Sequence, residues 1–212
     1  MRYPSDVAFT DTVKQIQTER GSRRSYERLE RTMGGFPNTV TPELSAYIAQ
    51  RDSVYLATAN AAGQPYVQHR GGPPGFIKVL DDHTLAFADF TGNKQYITTG
   101  NLVENDRAFL FMMNYADGER IKIWGRARVV QNDARLFERL TDPAYAARVE
   151  QAIVFEVEAW NANCSQHIPR LVHAEEVERM VSDLRRRIDY LEATLRDSNI
   201  AFEPAGRDGL GR

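Results

Sequence analysis

The chain has 212 residues, with 27 Lys and Arg against 29 Asp and Glu, a formal net charge of −2 and 42% hydrophobic residues. These are globular values, which exclude wholesale disorder, and the near-neutral balance argues against nucleic acid as a partner. No apolar run reaches the ~18 residues of a membrane span, the start lacks a signal-peptide apolar core, and the single cysteine, Cys164, excludes an internal disulfide framework and a multi-thiolate zinc site; a cytoplasmic protein with no membrane partner and no metal is expected. Residues 8–32 form two charged, helix-compatible stretches broken at Gly21-Ser22, with Ser22 as a cap for the second. Arg20, Arg23, Arg24, Arg28 and Arg31 make this segment basic, either as a solvated face or as a reach toward a phosphate or a partner subunit. Gly34–Asn38 reads as a linker.

Thr41-Pro42-Glu43 opens a helix, with Thr as N-cap and Pro at the first helical position, running to about Gln50. The pattern then turns to strands: Ser53–Asn60, a turn at Ala61–Gln64, Pro65–Arg70, the irregular Gly71–Gly75, Phe76–Leu80 and Thr84–Asp89. Asn93–Asn101 reads as a short helix, Arg107–Asn114 and Ile121–Val130 as strands, and Asn132–Leu140 as helical, with a further helical stretch after Pro143. Ala152–Trp160 is a last strand, with Ile153, Phe155 and Val157 on one face. Short strands joined by tight turns favour an antiparallel sandwich or barrel. From Ala174 to about Arg196 the positions Val177, Val181, Leu184, Ile188, Leu191 and Leu195 alternate by four and three, a heptad seam that either pairs with another helix or packs on its own barrel. The Gly-rich end after Asn199 is expected to fray. The domain reading is an N-terminal helical extension (1–40), a barrel (41–172), an amphipathic helix (173–198) and a flexible tail (199–212).

The chain contains no G-x-S-x-G, H-E-x-x-H, P-loop or G-x-G-x-x-G pattern. His69, His83, His167 and His173 lack the spacing of a metal cage, and Cys164 without a second cysteine reads as a quiet small residue. Residues 68–95 are the dense region. Gln68-His69-Arg70 ends a strand and enters Gly71-Gly72, where backbone can approach a ligand and Arg70 offers a planar fork to an anion. Asp89-Phe90-Thr91-Gly92-Asn93-Lys94-Gln95 joins a strand end to a helix start, where free amides favour a phosphate and Lys94 adds a charge. Each residue alone has a bland reading as a turn, cap or surface group. Together they describe a site for a phosphorylated cofactor.

The order of these parts resembles the pyridoxamine 5′-phosphate oxidase-like, FMN-binding split-barrel proteins over about residues 41–170. The resemblance is carried by Ser53–Asn60, Gly63–Gly72, Leu85–Gln95, Asn101–Phe111 and Ile121-Lys122-Ile123-Trp124-Gly125-Arg126-Ala127. It implies a mainly β fold with flanking helices, an antiparallel split β-barrel of the FMN-binding type. It also implies a homodimer that holds FMN between subunits. By the same resemblance Gln68, His69, Arg70 and Gly71 line the flavin, while Asp89, Phe90, Thr91, Asn93, Lys94 and Gln95 hold its phosphate. Arg120, Trp124 and Gln166 add contacts from the late strands. Relatives often carry Arg-Lys where this chain has Asn93-Lys94, so Arg70 or an N-terminal arginine is expected to supply the missing fork. The vitamin-processing oxidase grips its substrate phosphate with an R-x-H pair, and Gln166-His167 stands in that place here. An amide cannot replace a guanidinium in gripping a dianion, which points away from pyridoxamine phosphate as substrate.

The resemblance therefore implies an FMN-dependent oxidoreductase acting on a small molecule, with a nicotinamide as a possible donor. The other class is a flavin-binding carrier, sensor or electron-transfer module without turnover. Haem or a deazaflavin in place of FMN is a third possibility, haem requiring His167 or His173 as axial ligand. In a flavin enzyme the cofactor carries the redox chemistry, so no dedicated acid–base pair is required. His69 and His167 are the candidates for a proton donor or for a cation beside the reduced ring.

Overall fold

Alternation sets the strands. In β5 (Arg107–Asn114) Ala108, Leu110, Met112 and Asn114 are buried in turn, and β1 (Ser53–Ala59) buries Val54, Leu56 and Thr58 the same way. The others are β2 (Pro65–Gly71), β3 (Lys78–Asp81), β4 (Thr84–Phe90), β6 (Glu119–Val130) and β7 (Val149–Asn163). They form one seven-stranded sheet in the order β2-β1-β5-β6-β7-β4-β3 with every pairing antiparallel. The sheet curls until the edge strand β2 faces β4. There Arg70 Nη1 lies 2.8 Å from Asp89 Oδ1, and helix α4 (Ile97–Glu104) reaches β2 through a Thr98–Gln68 hydrogen bond. The fold is the expected antiparallel split β-barrel with flanking helices. This computed structural model describes residues 3–163 and 166–204, so the reading of Cys164 and that of the tail end, residues 205–212, lie outside the described residues. The chain divides into two compact units, one running to Ile168 and one from Pro169.

The barrel core is built from Leu56, Leu85, Phe87, Leu110, Met112, Ile123, Ile153 and Phe155, all fully buried. Helix α3 (Pro42–Ile48) adds Leu44 and Ile48, its start fixed by Thr41 Oγ1 accepting from the Leu44 amide at 3.3 Å. Strand β4 is buried on both faces. Leu85 and Phe87 enter the main core, while the small Ala86 and Ala88 let α5 (Ala134–Leu140) seat Leu136 and Leu140. The N-terminal extension contains a short 3-10 turn at Pro4–Val7, α1 (Asp11–Glu19) and α2 (Arg23–Met33). It is pinned to the barrel by an aromatic chain. Phe9 lies 5.0 Å from Phe36, which stacks on Trp124 at 5.8 Å, and the Trp160 indole donates to Thr39 O at 2.8 Å. Arg23 turns inward to Gln17 and Glu30, whereas Arg20, Arg24, Arg28 and Arg31 remain exposed.

Several elements depart from the sequence reading. Ser22 makes no side-chain cap. The third strand starts at Lys78, because Gly75 takes a positive φ and the Phe76 amide closes a turn onto Pro73 O. The short helix starts at Ile97 and not at Asn93, because Lys94 and Tyr96 adopt left-handed φ of 60° and 54°. The stretch after Pro143 is a turn closed by Tyr145 N–H to Asp142 O, followed directly by β7 from Val149. The C-terminal helix α6 spans Ala174–Asp197. Among the described residues no helix is long and apolar enough to cross a membrane.

Candidate functional site

Strand register divides the Gln68–Gly71 run between two surfaces. Directly opposed residues of an antiparallel pair share a face. Gln68 and Arg70 lie opposite the buried Leu56 and Val54 and point with them into the split of the barrel. His69 lies opposite Tyr55 on the outer face, with the two rings 5.6 Å apart. The same outer face continues through Phe111 and Lys122, and through Ala57, Phe109 and Trp124.

On the inner side, the ends of β2 and β4 and the start of α4 enclose a polar pocket. It gathers Gln68, Arg70, Asp89, Phe90, Asn93, Lys94 and Gln95 from the expected set. Arg70 is half-buried and Asp89 is buried; they lie at ion-pair distance, but Nη1 is not aligned for a hydrogen bond to Oδ1, and the buried Arg70 Nε has no acceptor. Gln151 Nε2 donates to Asp89 Oδ2 and to Thr99 Oγ1, each at 2.9 Å, and so holds the carboxylate from the far side. Gln68 Oε1 accepts from Tyr66 Oη at 3.2 Å and Thr98 Oγ1 at 3.3 Å, which leaves the Gln68 amide N–H groups as donors.

The segment between β4 and α4 shapes the pocket mouth. Lys94 and Tyr96 are non-glycine residues in the left-handed region, a conformation that costs energy and clusters at ligand-binding sites. Asn93 Oδ1 accepts from the Gln95 amide at 3.2 Å and tightens the loop. Tyr96 Oη donates to Glu150 Oε1 at 2.6 Å, and that bond to a carboxylate raises the phenol above its usual range. Tyr96 leaves α4 with no side-chain cap, so the first amides of the helix meet the pocket with only backbone or a ligand to satisfy them. An unsatisfied guanidinium N–H, an ammonium and an uncapped helix start converge here, the donor set that a phosphate dianion requires.

The remaining expected residues lie elsewhere. Gly71 and Thr91 fall outside the pocket lining, Thr91 giving its amide to Arg148 O at 3.0 Å. Arg120 and Trp124 are on the outer face of β6. Lys122 sits between them, 5.5 Å from the Trp124 ring, and burial followed by the Arg120 charge lowers its pKa. Trp124 is also stacked against Phe36. Gln166 and His167 are exposed in a turn where His167 has a φ of 63°. Tyr96, Thr98, Thr99, Glu150 and Gln151 were not anticipated. Gln151 directly precedes the apolar run of the last strand in the sequence, and a strand started one residue earlier would have included it; the structure buries it. Among the described residues no three His, Cys, Asp or Glu side chains gather as a metal site.

A family profile described as pyridoxamine 5′-phosphate oxidase matches residues 40–184. Among solved structures, an FMN-binding protein from Syntrophomonas wolfei is 15% identical with a TM-score of 0.44, covering 77% of this chain and 98% of that one. HupZ from Group A Streptococcus is 16% identical with a TM-score of 0.45, covering 62% and 98%. The heme storage protein HutZ from Vibrio cholerae is 16% identical with a TM-score of 0.38, covering 58% and 93%. A search of curated proteins finds no match.

Proposed function

The chain belongs to the pyridoxamine 5′-phosphate oxidase family, and from that premise we propose that it binds FMN in the β2–β4–α4 pocket and acts as an FMN-dependent oxidoreductase. The observation that carries this reading is the uncapped start of α4 beside Arg70 and Lys94. When bound, FMN supplies two-electron redox chemistry. The chain's own residues do the rest. Arg70, Lys94 and the first amides of α4 bind the phosphate. Asp89, held by Gln151, keeps the Arg70 fork in place, and the free amide of Gln68 donates into the split. The substrate is a small molecule other than pyridoxamine phosphate, since Gln166 offers no bidentate cation for a second phosphate.

The working unit in this reading is a homodimer with FMN at the subunit interface. Val67 and Tyr55, on the outer face beside His69, are 58% and 38% exposed, an apolar surface suited to a second copy. A sedimentation mass near the monomer's 24.1 kDa would count against it.

The test is the visible spectrum of the purified protein, with identification of what denaturation releases, followed by anaerobic addition of a nicotinamide donor. Released FMN and rapid bleaching with turnover support the oxidoreductase. Retained FMN that stays oxidised with every donor favours a carrier, sensor or electron-transfer module. A Soret band identifies haem instead, and a colourless protein that refuses added FMN rejects the site. Lys94→Ala should weaken FMN binding about tenfold to a hundredfold, the worth of one charge-assisted hydrogen bond, measured by flavin fluorescence titration. Unchanged affinity would remove Lys94 from the site.

A further inference from the structure

Among the described residues of its own unit, α6 has no second helix or strand to cover its heptad seam. The helix carries no buried side chain, and the seam residues Leu184, Ile188 and Leu191 are 61%, 41% and 44% exposed. Their spacing specifies more than amphipathicity. With Val181 at position a, Ile188 and Leu195 also fall at a, and Val177, Leu184 and Leu191 fall at d. In the middle of the helix, Val181 and Ile188 at a with Leu184 and Leu191 at d match the β-branched-a, leucine-d pattern that selects two parallel strands. Of the positions farthest from the seam (b, c and f), only Tyr190 and Ala193 are other than charged or serine.

The flanking charges select the orientation. In a parallel, in-register pair each g residue faces the e residue five positions later on the other helix. That sets Arg187 against Glu192 and Met180 against Arg185, with no like charges opposed. In a fully overlapped antiparallel pair e meets e and g meets g. Glu178 would then face Glu192, and Arg185 and Arg187 would each face their own copy. Within the helix, Arg187 lies over the Tyr190 ring at 5.3 Å and Glu192 Oε2 accepts from Arg196 at 3.0 Å.

We propose that α6 pairs with α6 of a second copy of this chain as a parallel, in-register two-stranded coiled coil. The pairing does not rest on the flavin reading. Three heptads alone make a weak zipper, so any other contact between the copies would strengthen it by raising the effective concentration of one helix for the other.

Oxidative cross-linking of the full chain tests the pairing. In a Cys164→Ser background, Ala174→Cys at the first a position and Ser198→Cys at the last d position are expected each to form a disulfide-linked dimer alone. Adding Leu184→Glu should slow both by roughly tenfold or more, the effect of about 1.4 kcal/mol lost at the seam. Arg187→Glu should slow cross-linking, and Arg187→Glu with Glu192→Arg should restore it. Cross-linking only in a mixture of the two cysteine variants would mean antiparallel helices and overturn the proposal. Absence of cross-linking, or cross-linking unaffected by Leu184→Glu, would overturn it as well. Flavin content, read on the same samples, reports separately on the cofactor site.

Discussion

Gly125→Ala is expected to be the most damaging single-methyl change in the barrel. A Cβ at this position would lie 2.0 Å from Glu156 O and 2.6 Å from the Phe155 ring. The cause is the β6–β7 crossing. Trp124 pairs with Ala159 and Gly125 with Val157, so β7 carries Glu158 as an extra residue and bends at Gly125. The backbone carbonyl cannot rotate away as a side chain would, and the neighbouring Phe155 is fully buried. The expected loss is about 3 kcal/mol or more, a large part of a typical domain's stability. Gly100→Ala is the internal control. It lies within α4 with no atom inside 4 Å of the added methyl, so the change should stabilise by about 0.5–1 kcal/mol. Urea midpoints of the two variants should move in opposite directions, and a wild-type midpoint for Gly125→Ala would mean that the β6–β7 crossing has room it does not display.

The same glycine marks where sequence reasoning reached and where it stopped. Trp124-Gly125-Arg126-Ala127 was legible as a strand motif, because period-two burial is written in residue types. The bulge opposite it was not, since nothing in the composition of β7 says which residue the partner skips. The strands and the Thr-Pro helix start were readable because alternation and capping are local. The start of α4 was misplaced by four residues because left-handed φ at Lys94 and Tyr96 contradicts their propensities and is imposed by the surrounding structure. That error hid Tyr96, Ile97, Thr98 and Thr99 at the pocket wall. Thr98 and Thr99 were read as helix interior, although the true helix begins beside them and turns them toward Gln68 and Gln151. His69 and Arg70 are adjacent in sequence, yet strand geometry sends them to opposite faces.

Arg70 and Asp89 should behave as both a structural latch and a ligand site, and a mutant cycle separates the two. Their side chains are 17% and 9% exposed, and they join β2 to β4, two strands that share no backbone ladder in the sheet. Arg70→Met leaves a buried carboxylate with only Gln151 as donor, and Asp89→Leu leaves a guanidinium without its counter-charge. Each is expected to cost about 2–4 kcal/mol in urea unfolding, because breaking one half of a buried pair strands the other. The double variant should cost clearly less than the sum, since apolar side chains of similar size remove both desolvation penalties together. Stability and flavin binding should then diverge. If Arg70 grips the phosphate, the double variant regains stability and still binds FMN at least tenfold more weakly than the unaltered chain, one charge-assisted contact being lost. If Arg70 serves only to close the barrel, recovered stability brings recovered FMN affinity. The latch alone then explains the pair, and the phosphate is held by Lys94 and the α4 amides.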